Sequence, residues 1–201
     1  TVLFADLVGS TAMSEQLGPE RFTLLIDEVM RTMSGEVERF EGTVVQFIGD
    51  ELYAVFGAPL SHEDDSERAV RAALAIQEAL GRYASDVEEA YGVELAVRIA
   101  INTGPVVLRP ESDDPYNALG DTINVASRIQ KLVSGGEIVI GRATKAQVES
   151  RFELEGMGRI VDAFGRELKR AEVHGDRFRS SEIEMRLHGL CRVHVHGTHE
   201  P

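Results

Sequence analysis

An α+β fold, a mostly antiparallel sheet with helices packed on one face, is what this sequence predicts. Three observations carry it. Short apolar segments rich in β-branched residues alternate with long stretches whose apolar residues recur every three or four positions. The elements run strand, helix, hairpin, helix, hairpin and then further α/β units, an order that suits this layering. The 201 residues are 43% hydrophobic and 27% charged, ordinary for a globular chain and enough for one medium domain with an appendage.

Each element has its own warrant. Val2–Leu7 is an apolar run closed by Gly9-Ser10 and reads as a strand. Gly18-Pro19-Glu20 opens a helix, with Pro near the first position, where its missing N–H costs nothing. Phe22, Leu25, Ile26, Val29, Met33, Val37 and Phe40 form its apolar face, and Gly42 ends it. Thr43–Ile48 and Glu51–Phe56 make a hairpin about Gly49-Asp50. Ser61–Tyr83 is a second long helix, with Glu63, Asp64, Asp65 and Glu67 near its positive end. Its buried stripe is Val70, Ala73, Leu74, Gln77 and Leu80. Glu94–Ile101 is a strand paired with Val106–Leu108, and Arg109–Tyr116 is a polar loop or arm. A helix at Thr122–Val133, a strand at Glu137–Ile140, a helix at Arg142–Ser150 and terminal strands within Phe152–His174 complete the body. The order is ferredoxin-like with additions and spans residues 1–176. Residues 177–201 lose the pattern and read as a mobile tail. His188, His194, His196 and His199 lie there, and with no Cys or carboxylate set to complete a metal site they read as incidental.

Charge and cysteine usage narrow the function. A net charge of −13 repels phosphate polymers, which argues against nucleic acid and anionic membrane as partners. It leaves room for a small phosphate-bearing ligand screened by metal ions. The single cysteine, Cys191, rules out an internal disulfide framework. No apolar run approaches the ~18 residues needed to cross a bilayer, and no signal-peptide pattern opens the chain. The chain starts inside an apolar run without Met, so it reads as a cytosolic piece of a longer, multidomain protein.

Three clusters and one arginine carry chemistry. In Phe4-Ala5-Asp6-Leu7-Val8-Gly9-Ser10-Thr11, a carboxylate ends a strand beside a glycine turn. Asp6 is there either a metal ligand beside phosphate-binding backbone N–H groups or, like Ser10, a cap of the next helix. In Gln46-Phe47-Ile48-Gly49-Asp50-Glu51, the hairpin brings Asp50 toward Asp6, and converging carboxylates repel unless cations sit between them. Gln46 is either a satisfied core amide or a reader of a ligand's hydrogen-bonding edge. In the run from Asn117 to Arg128, Asn124 and Arg128 fall one turn apart on one helix face. That face is either plain surface or a clamp on ribose and phosphate. Arg98, in an apolar strand, points to solvent, to a carboxylate or to a triphosphate.

Taken together, Phe-Ala-Asp-Leu-Val-Gly-Ser-Thr, Phe-Ile-Gly-Asp-Glu and Gly-Asp-Thr-Ile-Asn-Val-Ala-Ser-Arg resemble the class III nucleotidyl cyclase catalytic domain, over about Val2 to His174. The resemblance implies a head-to-tail homodimer with active sites between subunits. It implies that Asp6, Asp50 and the Leu7 carbonyl hold two Mg²⁺ or Mn²⁺ ions, and that the backbone of Val8, Gly9, Ser10 and Thr11 cradles phosphates. Arg98 matches an arginine near the phosphates. Asn124 orients the ribose and Arg128 stabilises the α-phosphate, both from the partner subunit. Two departures stand out: Gln46 and Asn117 occupy base-selecting positions that adenylyl cyclases fill with Lys and Asp, and Phe164 replaces a phosphate-binding Lys, with Arg166 nearby. The expected substrate is ATP with some GTP turnover; the alternative is a nucleotide-binding or dimerisation module that regulates a larger protein. A diguanylate cyclase is disfavoured, because Gly135-Gly136-Glu137-Ile138 is a poor substitute for that family's signature.

Overall fold

Val2, Leu3, Phe4 and Ala5 are apolar in unbroken succession, so the strand they form must be covered on both faces. The computed structural model, which describes residues 1–108, 118–156 and 190–193, shows how. Strand β1 (Val2–Leu7) lies inside a seven-stranded sheet between β3 (Glu51–Val55) and β4 (Val97–Asn102). The order is β2-β3-β1-β4-β7-β9-β8, where β2 is Thr43–Ile48, β7 Ile138–Ile140, β8 Leu154–Gly156 and β9 Cys191–Val193. Every described pairing is antiparallel except β4 with β7.

The two faces are packed differently. Leu3, Ala5, Leu7, Leu52, Ala54, Phe56, Ile99 and Ile101 share one core with α2 (Pro19–Arg39) and α3 (Asp65–Tyr91). The intervening residues Val2, Phe4, Tyr53 and Val55 pack with Ala126 of α4 (Asp121–Gln130), while Ala100 and Val139 meet Ile129 of the same helix. Phe4 and Tyr53 stack there at 4.8 Å. Helices therefore cover both faces, not one: the even-numbered residues of β1 are as apolar as the odd ones, and they need a cover of their own.

Other differences are local. A helix α1 (Ser10–Leu17) precedes α2, separated from it by Gly18 at φ 76°, with Pro19 opening α2. α3 continues past Tyr83 to Tyr91, buries Val87 and stops at Gly92 in the left-handed conformation. Of its expected stripe, Val70, Ala73 and Leu80 are buried; Gln77 is half-buried and donates to the Val97 carbonyl at 3.0 Å. β5 (Val107–Leu108) pairs with β6 (Ala118–Leu119) rather than with β4. Cys191–Val193 falls inside the range expected as a tail and instead forms β9, between β7 and β8. Leu190, Cys191 and Val193 are buried. The rest of 177–201, with the four tail histidines, lies outside the described residues, as do Asn117, Phe164 and Arg166.

Candidate active site

Asp6 and Arg98 meet because antiparallel register sets them side by side. Asp6 pairs with Arg98 of β4 on one flank and with Glu51 of β3 on the other. Since side chains alternate, all three project to the α4 face, beyond the apolar rows of Val2 and Phe4, Tyr53 and Val55, and Ala100. Arg98 Nε donates to Asp6 Oδ2 at 2.7 Å, and a terminal guanidinium nitrogen donates to the same oxygen at 2.5 Å. Asp6 is 7% exposed, so this pair answers a need: a carboxylate that dry requires a partner.

Asp50 stands on the β2–β3 turn, half-buried after Gly49 at φ 65°. Its carbonyl accepts from the Leu7 amide at 3.4 Å, which ties the turn to the end of β1. Glu51 reports on the field. Burial, and then the Asp6 charge, push its carboxyl above the ordinary range; Asp50 adds to this, and Lys131 and Arg98 pull the other way.

Beyond β1, the Val8 amide donates to the Ala96 carbonyl at 2.9 Å, and Gly9 turns the chain through φ 73° into α1. No side chain caps α1, so neither Asp6 nor Ser10 serves as its cap. The amides of Ser10, Thr11 and Ala12 have no helical acceptor, and the first helical bond runs from Met13 to Gly9. Together with the helix dipole they make an anion-receptive end beside the carboxylates.

Asn124 is exposed and Arg128 half-buried on α4, whose opposite side buries Ala126 and Ile129. Among the described residues no hydrogen bond joins Asn124 to Asp6 or Asp50. Gln46 lies opposite Tyr53 beside an irregularity in β2, and it is exposed, as are Phe47 and Ile48. It is thus not a core amide. The sequence reading gave Glu51 and Lys131 no role, although the alternation that aims Tyr53 toward α4 aims Glu51 beside Asp6.

Among the described residues no group of three or more His, Cys, Asp or Glu side chains is placed to hold a metal ion. Two carboxylates and a carbonyl are nonetheless hard oxygen donors. They suit Mg²⁺, which is commonly held by one or two carboxylates with substrate phosphates completing its shell.

The chain is also similar to known proteins. Residues 1–170 match the family model described as the adenylate and guanylate cyclase catalytic domain. Adenylate cyclase 1 of Rhizobium meliloti is 32% identical over 164 residues, 79% of this chain and 24% of that protein. Atrial natriuretic peptide receptor 2 of Homo sapiens is 27% identical over 169 residues, 80% of this chain and 16% of the receptor. The chain thus spans a quarter or less of the length of these curated relatives. In fold it is similar to the adenylyl cyclase CyaB from P. aeruginosa, with TM-score 0.75 and 22% identity over 100% of this chain and 95% of that one. The guanylyl cyclase Cya2 gives TM-score 0.70 and 26% identity over 84% of this chain and 95% of that one. Among the described residues no helix is long and apolar enough to cross a membrane. The chain belongs to the adenylate and guanylate cyclase catalytic-domain family, the nucleotidyl cyclases.

Proposed function

We propose that this domain converts ATP to 3′,5′-cyclic AMP and pyrophosphate at a site shared by two copies of the chain, with slower turnover of GTP. The ribose 3′-oxygen bonds to the α-phosphorus, and the bond from that phosphorus to the bridging oxygen of pyrophosphate breaks. Asp6, Asp50 and the Leu7 carbonyl would hold two Mg²⁺ or Mn²⁺ ions, which when bound supply Lewis-acid activation of the 3′-hydroxyl and neutralise the triphosphate. The uncapped amides following Gly9 bind phosphate oxygens, and Arg98 adds a planar fork of donors. Asn124 of the second copy orients the ribose. Arg128 of the second copy meets the charge that develops at the α-phosphate, a role worth about 10³–10⁵ in rate in other phosphoryl transfers. Gln46 and Asn117 read the base; an amide both donates and accepts, which suits either purine. ATP is abundant in the cytosol, to which the reaction is assigned, and a cyclic nucleotide product is suited to signalling.

One observation carries the reading: Asp6 and Arg98 share a hydrogen-bonded pair next to the Asp50 turn and the uncapped start of α1. The test is product analysis by mass spectrometry after incubation with Mn²⁺ and either ATP or GTP, over a range of protein concentrations. Cyclic AMP formed faster than cyclic GMP, with specific activity rising with concentration, is the expected result. A folded, dimeric sample that yields no cyclic product overturns it and leaves a nucleotide-binding regulatory module. Gln46→Lys with Asn117→Asp should raise the ATP/GTP ratio; an unchanged ratio removes both residues from base recognition.

A further inference from the structure

Arg98 grips only one oxygen of Asp6. Nε and the terminal nitrogen both reach Oδ2, and among the described residues nothing donates to Oδ1. The two partners also differ in freedom. The Asp6 side chain is 9% exposed on a central strand, whereas that of Arg98 is 31% exposed at the start of β4. If one of them moves, it is the arginine.

We propose that Arg98 is an internal counter-ion that changes partners when the site loads, leaving Oδ2 of Asp6 for the phosphates of the nucleotide, so that metal and nucleotide binding are coupled through this one side chain. The inference rests on the reading of Asp6 as a metal ligand. Without metal, Arg98 offsets a local surplus of negative charge, because Asp6 and Asp50 both act on Glu51 with Lys131 as the other nearby cation. A divalent cation held by the Asp6 carboxylate would take over that duty and repel the guanidinium. Glu51 lies across β1 from Arg98, on the far flank of Asp6. The anion within the displaced fork's natural reach is then a phosphate held at the start of α1. Metal therefore releases the group that binds phosphate, and phosphate removes the group that obstructs metal. Such coupling is reciprocal and typically falls between about 5- and 150-fold.

The test is equilibrium dialysis of Mn²⁺ against the purified chain, with and without 3′-deoxy-ATP in both chambers, since that analogue lacks the hydroxyl needed to cyclise; 3′-deoxy-GTP is run in parallel. Wild-type protein should bind Mn²⁺ more tightly when the nucleotide is present. Arg98→Gln should bind Mn²⁺ alone about 5-fold or more tighter than wild type, and the tightening by nucleotide should shrink by a similar factor. If the arginine merely repels the ion without transferring, Arg98→Gln would raise affinity equally in both conditions; an unchanged ratio therefore overturns the proposal. Asp6→Asn separates the two levels. If it loses Mn²⁺ binding while Arg98→Gln leaves the ratio intact, the exchange is wrong and the metal-ligand reading stands. If it binds Mn²⁺ as wild type does, the reading falls and the exchange with it. Should Arg98→Gln fail to melt cooperatively, Arg98→Lys keeps the charge without the fork and should still lower the ratio; an unchanged ratio there is equally fatal.

Discussion

Of the arginines that pair with carboxylates, Arg68 and Arg98 are built to opposite ends. Arg68, 8% exposed in the first turns of α3, is enclosed: one terminal nitrogen bonds Glu41, the other bonds Asp65 and contacts His62 Nδ1, and its Nε lies 3.3 Å from Asp64. Asp65 is in turn held by the His62 amide at 3.1 Å and the Ser61 hydroxyl at 3.2 Å. The set pins the loop before α3 and the corner after α2 to one another. Among the described residues Arg98 has a single carboxylate partner, through a single oxygen, and it stands partly in solvent. A guanidinium gripped from several sides is fixed in place, and removing it leaves a buried carboxylate without its cation. A pair with an open oxygen on one side and a solvated donor on the other can change partners.

The contrast can be broken most decisively at Asp6. Asp6→Asn should lower cyclase activity by about 10³-fold, the value of losing several kcal/mol of metal-borne stabilisation. Arg128→Ala should be similarly poor. If each site draws Asp6 from one copy and Arg128 from the other, mixing the two inactive variants should restore about a quarter of wild-type specific activity, since half the dimers are mixed and each keeps one of two sites. Two folded, dimerising variants that fail to complement would place both residues in one subunit's site or remove one of them from catalysis.

Arg68→Ala reads the other side of the comparison. Removing it leaves Asp65, whose side chain is 12% exposed, without its cation, which should cost about 3 kcal/mol. The melting temperature should then fall by roughly 10 °C. Mn²⁺ affinity of the folded protein should not change. A melting point within about 1 °C of wild type would show that the enclosed arginine holds nothing together. Altered Mn²⁺ affinity would show that the two arginines are not independent.

How far the sequence foretold these placements depends on whether a residue's position is set locally. The β2–β3 hairpin was legible, because Gly49-Asp50 specifies the turn and the turn fixes the register. From there Asp50 follows beside the end of β1. That Asn124 and Arg128 lie one turn apart on α4 followed from helical spacing alone. The Asp6–Arg98 pair did not, since residues 92 positions apart meet only once β1 and β4 are known to be neighbours. α1 was missed because only Met13 is buried, so no apolar stripe marks the helix. The position of α4 on its own face was written in the unbroken apolar run of β1, but the element order alone pointed to a single covered face. β9 was hidden because three residues carry no period of their own; pairing on both sides makes it a strand.

The smallest effect probes the charge surplus that gives Arg98 its work. Burial and the neighbouring carboxylates raise the Glu51 carboxyl in the folded chain, so near the unfolded value the native state binds more protons than the unfolded one. Its contribution to stability is fully present below the unfolded value and is lost as pH rises through the folded value. Above the folded value the ionised group works against folding. Glu51→Gln should therefore melt above wild type at pH 7.5 in the absence of divalent ions, by roughly 2 °C because the group is half-buried and partly screened. At pH 4, where the native glutamate holds its proton, the gain should vanish. A difference that is the same at both pH values would mean that Glu51 packs without feeling Asp6 and Asp50, and that Arg98 has less negative charge to offset than its position implies. A gain confined to high pH would instead tie the stability of the metal-free chain to the charges that Arg98 must leave behind when it moves.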